Sequence, residues 1–142
     1  MISFRQYILC EEAEPSQPFH HIQPSPKGHV YRFHLGDDTE DFKVKILHND
    51  SGTAHVNFED PHGGYRRTGE YGTRSAKVLS TVHRILKHHA GAYPNVKEFI
   101  FSSDNDEPSR VKLYSRYTLK HGGENVKTAF DTFHTVPTKN LA

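Results

Sequence analysis

The sequence predicts an α/β (α+β) domain with a mixed, mostly antiparallel sheet, one parallel strand pair and two main helices. Three observations point there. Three apolar runs between Val30 and Phe58 alternate with period two, as strands with one buried face do. From Arg74 to His89 the period changes to three and four, the pattern of an amphipathic helix. A dense apolar run, Val96 to Ser102, follows that helix. A strand–helix–strand crossover of this kind joins parallel strands through a right-handed connection.

Ile2 to Leu9 reads as a strand, with Phe4, Tyr7, Ile8 and Leu9 as β-formers. Cys10 to Gly28 contains Pro15, Pro18, Pro24 and Pro26, which predicts an irregular linker without long helix, pinned down by Phe19 and Ile22. In Val30 to Leu35, Tyr31, Phe33 and Leu35 share one face and Arg32 and His34 the other. Asp37-Asp38-Thr39 is a turn. Phe42, Val44 and Ile46 point inward from the next strand, with Lys43 and Lys45 outward. His48 to Gly52 is a hairpin loop rich in turn formers, after which Ala54, Val56 and Phe58 share a face.

The helix places Val78, Leu79, Val82, Ile85 and Leu86 on one stripe, and Gly91 and Pro94 stop it. After a loop at Asp104 to Glu107, Pro108 and Ser109 suit a helix start. Either Val111, Tyr114 and Thr118, or Leu113 and Tyr117, line its inner face, and Gly122-Gly123 ends it. Thr128 to Val136 is a last, antiparallel strand, and Pro137 to Ala142 a flexible tail. The whole of 1–142 is expected to form a single domain.

Composition narrows the function classes. Lys plus Arg number 18 against 17 Asp plus Glu, a formal charge of +1 that argues against a general nucleic-acid-binding surface. Arg66, Arg67, Arg74 and Lys77, interleaved with Tyr65 and Tyr71, make only a small basic patch. The one cysteine, Cys10, can form no intrachain disulfide, which fits a cytoplasmic setting. Met1 to Arg5 opens a strand-like run rather than a signal peptide, and no apolar run approaches the ~20 residues of a membrane span. There are 12 histidines. No His-Glu-x-x-His occurs and one cysteine cannot build a thiolate site, so no metal site is expected. His88-His89 at a helix C-terminus complements the helix dipole. No Gly-x-Ser-x-Gly elbow is present.

The chemistry-bearing stretch is the loop from His62 to Thr73, between an apolar strand and the helix. Gly69 and Gly72 let an anion approach the backbone N–H groups, and the helix N-terminus adds positive potential. The bland alternative is a tight strand-to-helix connection. Glu70 would bring a carboxylate to the same place. Arg110, just after Pro108-Ser109, points toward the strand ends. His55 and Glu59 lie on the strand before the loop, and either suits a general base, directly or through water. On its spacing alone, Tyr114 is a tyrosine filling the groove between helix and sheet, with its hydroxyl at the rim.

This order of elements resembles the GNAT acyltransferase superfamily over roughly Val30 to Val136. Arg66-Arg67-Thr68-Gly69 fits the first half of that family's Gln/Arg-x-x-Gly-x-Gly/Ala loop, with one extra residue before Gly72. Leu113-Tyr114-Ser115-Arg116 looks like its Leu-Tyr-x-Lys/Arg motif. The resemblance implies binding of acetyl-coenzyme A through backbone N–H groups of Thr68, Gly69, Tyr71, Gly72 and Thr73, with Arg66 or Arg67 as charge partners. Arg110 stands where that family has a small residue, and from its own placement it either contacts an anionic group of the cofactor or sits on a solvated helix face. It also implies acyl transfer to an amine, with Tyr114 protonating the departing thiolate. The two helices that follow the family's first strand, and help wall the acceptor site, are replaced here by the proline-rich linker. Thr68-Gly69, Val78 to Ile85, Phe101-Ser102 and Pro108 to Tyr114 also look like small proteins encoded by tailed phages. That second resemblance implies a different class: a non-catalytic protein, in the host cytoplasm, that binds a host or virion protein.

Overall fold

The computed structural model describes residues 18–34, 41–59 and 73–141, with the backbone alone for 73–77 and 109. The strand expected at Ile2 to Leu9 and the turn at 37–39 lie outside them.

Three alternating runs form an antiparallel meander: β2 (Gly28–Phe33), β3 (Phe42–His48) and β4 (Thr53–Glu59). Tyr31, Phe33, Phe42, Val44, Ile46 and Ala54 are buried, so the period-two faces are those expected. Helix α1 (Thr73–Ala92) then crosses over to β5 (Glu98–Asp104), which pairs parallel with β4. Gly91 sits in the last turn of α1 rather than beyond it, and Pro94 follows the helix end. Helix α2 (Pro108–Lys120) begins at its proline. It closes with Gly122 at φ +71, a left-handed conformation suited to glycine. There Gly123 N–H donates to the Thr118 carbonyl at 2.8 Å and Gly122 N–H to the Leu119 carbonyl at 3.2 Å.

Two strands appear where none was expected. β1 (Phe19–Ile22) pairs antiparallel with β2, Phe19 opposite Phe33 and Ile22 opposite Val30. Part of the linker is therefore an edge strand. Pro18 and Pro24 flank the paired residues and leave the ladder intact. β6 (Glu124–Lys127) precedes β7 (Asp131–Pro137), and the turn between them has Thr128 N–H donating to the Asp131 carbonyl at 2.7 Å. β6 is polar except for Val126, so it carries almost no periodicity, and the run from Thr128 begins as its turn. Among the described residues the sheet has seven strands in the order β1-β2-β3-β4-β5-β7-β6.

The segment after Pro137 is docked rather than frayed. Thr138–Asn140 makes a 3-10 turn, the Thr138 hydroxyl donates to the Val96 carbonyl at 2.9 Å, and Leu141 joins the core at 2% exposure. One apolar side chain and a buried hydroxyl suffice to hold it.

Both helices pack on the face that carries Tyr31, Ala54 and Phe99. His89 of α1 meets Tyr31 and Phe99, Tyr114 of α2 meets Phe101 edge-on, and the two helices join through His83 Nδ1 and the Tyr117 hydroxyl at 3.0 Å. The inner face of α2 is Leu113, Tyr117 and Thr118, with Arg110 and the half-buried Tyr114 beside them. Among the described residues no helix covers the other face, where His55, Asn57, Ser102 and Phe133 are exposed. No described helix is long and apolar enough to cross a membrane.

Candidate functional site

The parallel ladder between β4 and β5 is short. It pairs Thr53 with Glu98, Ala54 with Phe99 and His55 with Ile100, and stops there, although β4 continues to Glu59 and β5 to Asp104. β5 keeps its full antiparallel ladder with β7 over the same stretch, up to Asp104 opposite Asp131. Beyond Ile100, then, β5 follows β7 and leaves β4. The gap is a cavity of about 480 Å³, lined by His55 to Phe58 on one side and Phe101 to Asp104 on the other. Residues from both faces of each strand contribute because the gap passes through the sheet. α1 supplies an apolar wall of Val78, Leu79, Val82 and Leu86, and α2 supplies Glu107, Arg110, Tyr114 and Tyr117.

Three of the residues singled out by sequence meet here: His55 at the last ladder pair, Arg110 and Tyr114. The Tyr114 ring stands edge-on to Phe101 at 5.3 Å and to His134 at 5.6 Å. Arg110 is buried, and its Nη1 lies 3.0 Å from Glu107 Oε2, which neutralises much of the guanidinium charge inside the wall. Glu59 does not line the cavity. It forms an ion pair with Lys45 on the neighbouring strand at 2.9 Å, whereas His55 lines the cavity. Arg66, Arg67, Thr68, Gly69, Tyr71 and Gly72 lie outside the described residues. Thr73 is the first residue of α1.

A polar chain that sequence did not suggest backs the cleft. Asn125 Nδ2 donates to the Ser115 carbonyl at 3.3 Å, which turns its Oδ1 toward His134 Nδ1 at 2.7 Å. That oxygen is an acceptor, so His134 carries its proton on Nδ1. Its Nε2 lone pair then accepts from the Ser103 hydroxyl at 2.7 Å. Ser103 lines the cavity with its oxygen lone pairs left to accept from a ligand. Burial lowers the His134 pKa to about 4, which keeps the ring neutral and this polarity fixed. The three residues come from β5, β6 and β7, and no local spacing marks them.

At the far end of the sheet, where β4 and β5 are still paired, histidines scattered through the sequence converge. His29 is the second residue of β2, His48 ends β3 and His89 lies in the last turn of α1. One ring nitrogen from each lies within 4.8 Å of the others. The expectation that His89 serves as a positive partner of the helix dipole does not hold. Its ring is fully buried, and burial lowers its pKa, so it is neutral.

No protein-family profile and no curated protein matches the sequence. Solved structures do. The IAA acetyltransferase from Bacillus cereus ATCC 14579 overlays with TM-score 0.54 at 12% identity, covering 86% of this chain and 99% of that one. A probable acetyltransferase from Staphylococcus epidermidis ATCC 12228 overlays with TM-score 0.51 at 12% identity, covering 79% and 68%. At this identity the likeness is one of architecture: the chain has the fold of these acetyltransferases.

Proposed function

We propose that the protein is an acyltransferase that takes an acyl group from acetyl-coenzyme A or a related thioester and gives it to an amine. The observation that carries this is the early end of the β4–β5 ladder at His55 and Ile100, with Tyr114 in the wall of the gap. An extended ligand bearing amide groups can occupy the place of the missing ladder, between backbone edges that no longer face each other. The loop from Arg66 to Gly72, with Thr73 at the helix start, would hold the diphosphate through backbone N–H groups. Arg66 and Arg67 would serve as charge partners there. Arg110, tied to Glu107 and buried, acts as part of the wall.

The thioester supplies an acyl carbon with a good leaving group. The amine nitrogen bonds to that carbon, the C–S bond breaks, and the sulfur keeps the electron pair. The Tyr114 hydroxyl protonates the thiolate, and His55 accepts the surplus proton of the amine. Ser103, oriented by His134, accepts a hydrogen bond from the incoming N–H. Asp104 and Asp131 at the mouth favour an acceptor that arrives as a cation.

Calorimetric titration with acetyl-coenzyme A tests this directly. Saturable binding is expected, abolished by Gly69→Val and strengthened by Glu70→Gln, which removes a charge that repels phosphate. No binding of any coenzyme A derivative, or binding indifferent to both changes, would sink the proposal.

One observation favours a non-catalytic interaction protein instead. Phe130 is 80% exposed, beside Val126 at 56% and its cross-strand partner Phe133 at 38%, an apolar patch on the edge hairpin β6–β7. Failure of the titration would make this patch the first surface to examine for a protein partner.

A further inference from the structure

The three converging histidines stand apart from the cleft, and the acyl transfer proposed above does not use them. We propose that His29, His48 and His89 form a binding site for a divalent late first-row transition metal ion of the zinc class, one ring nitrogen from each serving as ligand and a fourth position left to water.

Geometry is the first support. With Zn–N bonds of about 2.0–2.1 Å, nitrogens around a tetrahedral ion stand roughly 3.3 Å apart. The three ring nitrogens lie within 4.8 Å of one another, and His48 Nε2 and His89 Nε2 are 2.6 Å apart. Side-chain shifts of about an ångström would bring all three to bonding distance.

The outer contacts are the second support. A metal-ligating histidine usually donates its other ring N–H to a fixed partner, which sets the tautomer and aims the lone pair. His89 Nδ1 lies 2.7 Å from the Tyr31 hydroxyl, and His29 Nδ1 lies 2.8 Å from His21 Nε2. With both Nδ1 atoms donating there, both Nε2 lone pairs turn inward. Tyr31 is held in place in turn, because its ring stacks on His21 at 4.4 Å.

The third support is an orphan. His29 is 2% exposed, and its Nε2 has no hydrogen-bond partner. A buried polar nitrogen left alone costs free energy, and a metal ion or its water would satisfy it. Burial also lowers the pKa of all three rings, so each offers a lone pair at neutral pH. The C-terminal end of α1 adds negative potential beside His89. Three imidazoles without a thiolate or carboxylate suit Zn, Cu, Ni or Co better than Mg or Ca.

The test uses the full chain stripped of metal and titrated with Co(II), then Zn(II). One equivalent of Co(II) should bind and give the visible absorption of a four-coordinate nitrogen site, and Zn(II) should displace it and raise the melting temperature. His48→Ala, at a half-buried position, and His29→Ala should each weaken binding by ~100-fold or more. Tyr31→Phe should weaken it by roughly 10-fold through the lost outer hydrogen bond. His20→Ala and His88→Ala should leave it unchanged. Circular dichroism of each variant separates lost ligation from lost folding. Absence of saturable metal binding, or binding that folded His48→Ala retains in full, overturns the proposal.

Discussion

Asp104 and Asp131 stand directly opposite each other across β5 and β7, at the mouth of the cleft. Like charges in that arrangement oppose folding, so the pair invites a cation between them. Asp131→Asn is therefore expected to stabilise the free protein by roughly a few tenths of a kcal/mol while raising KM for an ammonium-bearing acceptor. Chemical denaturation and steady-state kinetics, run on the same preparation, measure the two effects. An unchanged KM would show that the acceptor does not use this pair.

Tyr114→Phe keeps the ring that packs against Phe101 and His134 and removes only the hydroxyl. Loss of a general acid is expected to lower kcat by ~100-fold or more with KM little changed. Thermal melting should move by only a few degrees, since one hydroxyl contributes about 1 kcal/mol. Full activity in the variant would return Tyr114 to a packing role.

His134 makes stability depend on pH with a definite sign. Its pKa is about 4 in the folded protein, against the ordinary histidine value of 6.5 once the chain unfolds and the ring is hydrated. Between those values the unfolded chain binds a proton that the native ring refuses, so stability rises with pH across the window. The contribution is fully present above about pH 6.5 and is lost as pH falls through about 4. Its slope is at most about 1.4 kcal/mol per pH unit. His134→Gln should make the curve of unfolding free energy against pH shallower by that share. His29 and His89, also buried and lowered, retain a residual slope. A variant with the wild-type slope would mean that His134 titrates normally.

Gly123 is where the end of α2 meets β7. A Cβ there would fall onto the Thr135 carbonyl oxygen and within 2.7 Å of Thr118 Cγ2. The obstacle is backbone, which cannot rotate away, so Gly123→Ala should cost about 3 kcal/mol or more. For a domain of this size that lowers the melting temperature by roughly 6–12 °C. A scanning calorimeter measures the shift, and a change below about a degree or two would show that the hairpin yields.

Much of the architecture was readable from local pattern. Phe42, Val44 and Ile46 alternate, and the α1 stripe from Val78 to Leu86 repeats every three and four residues, because a residue's burial is set by the period of the element that carries it. Pro108 and Gly122-Gly123 marked the ends of α2 through backbone chemistry that needs no tertiary context. The edge strands β1 and β6 were not readable, since a short polar strand is recruited by the hydrogen-bonding edge of its neighbour rather than by its own side chains.

By itself, then, the sequence determined the order of the main strands and helices, the parallel crossover and the placement of Tyr114 on a helix after it. Only the tertiary structure decided that the β4–β5 ladder ends at His55 and Ile100, that Glu59 is bound to Lys45 rather than facing the cleft, and that Leu141 belongs to the core. It also decided that Ser103, Asn125 and His134 form one chain, and that His29, His48 and His89 share one space. The physical reason is the same in each case. Periodicity and capping act over a turn or a strand, whereas a site is a convergence of residues far apart in sequence, set by strand register and by where two paired strands part.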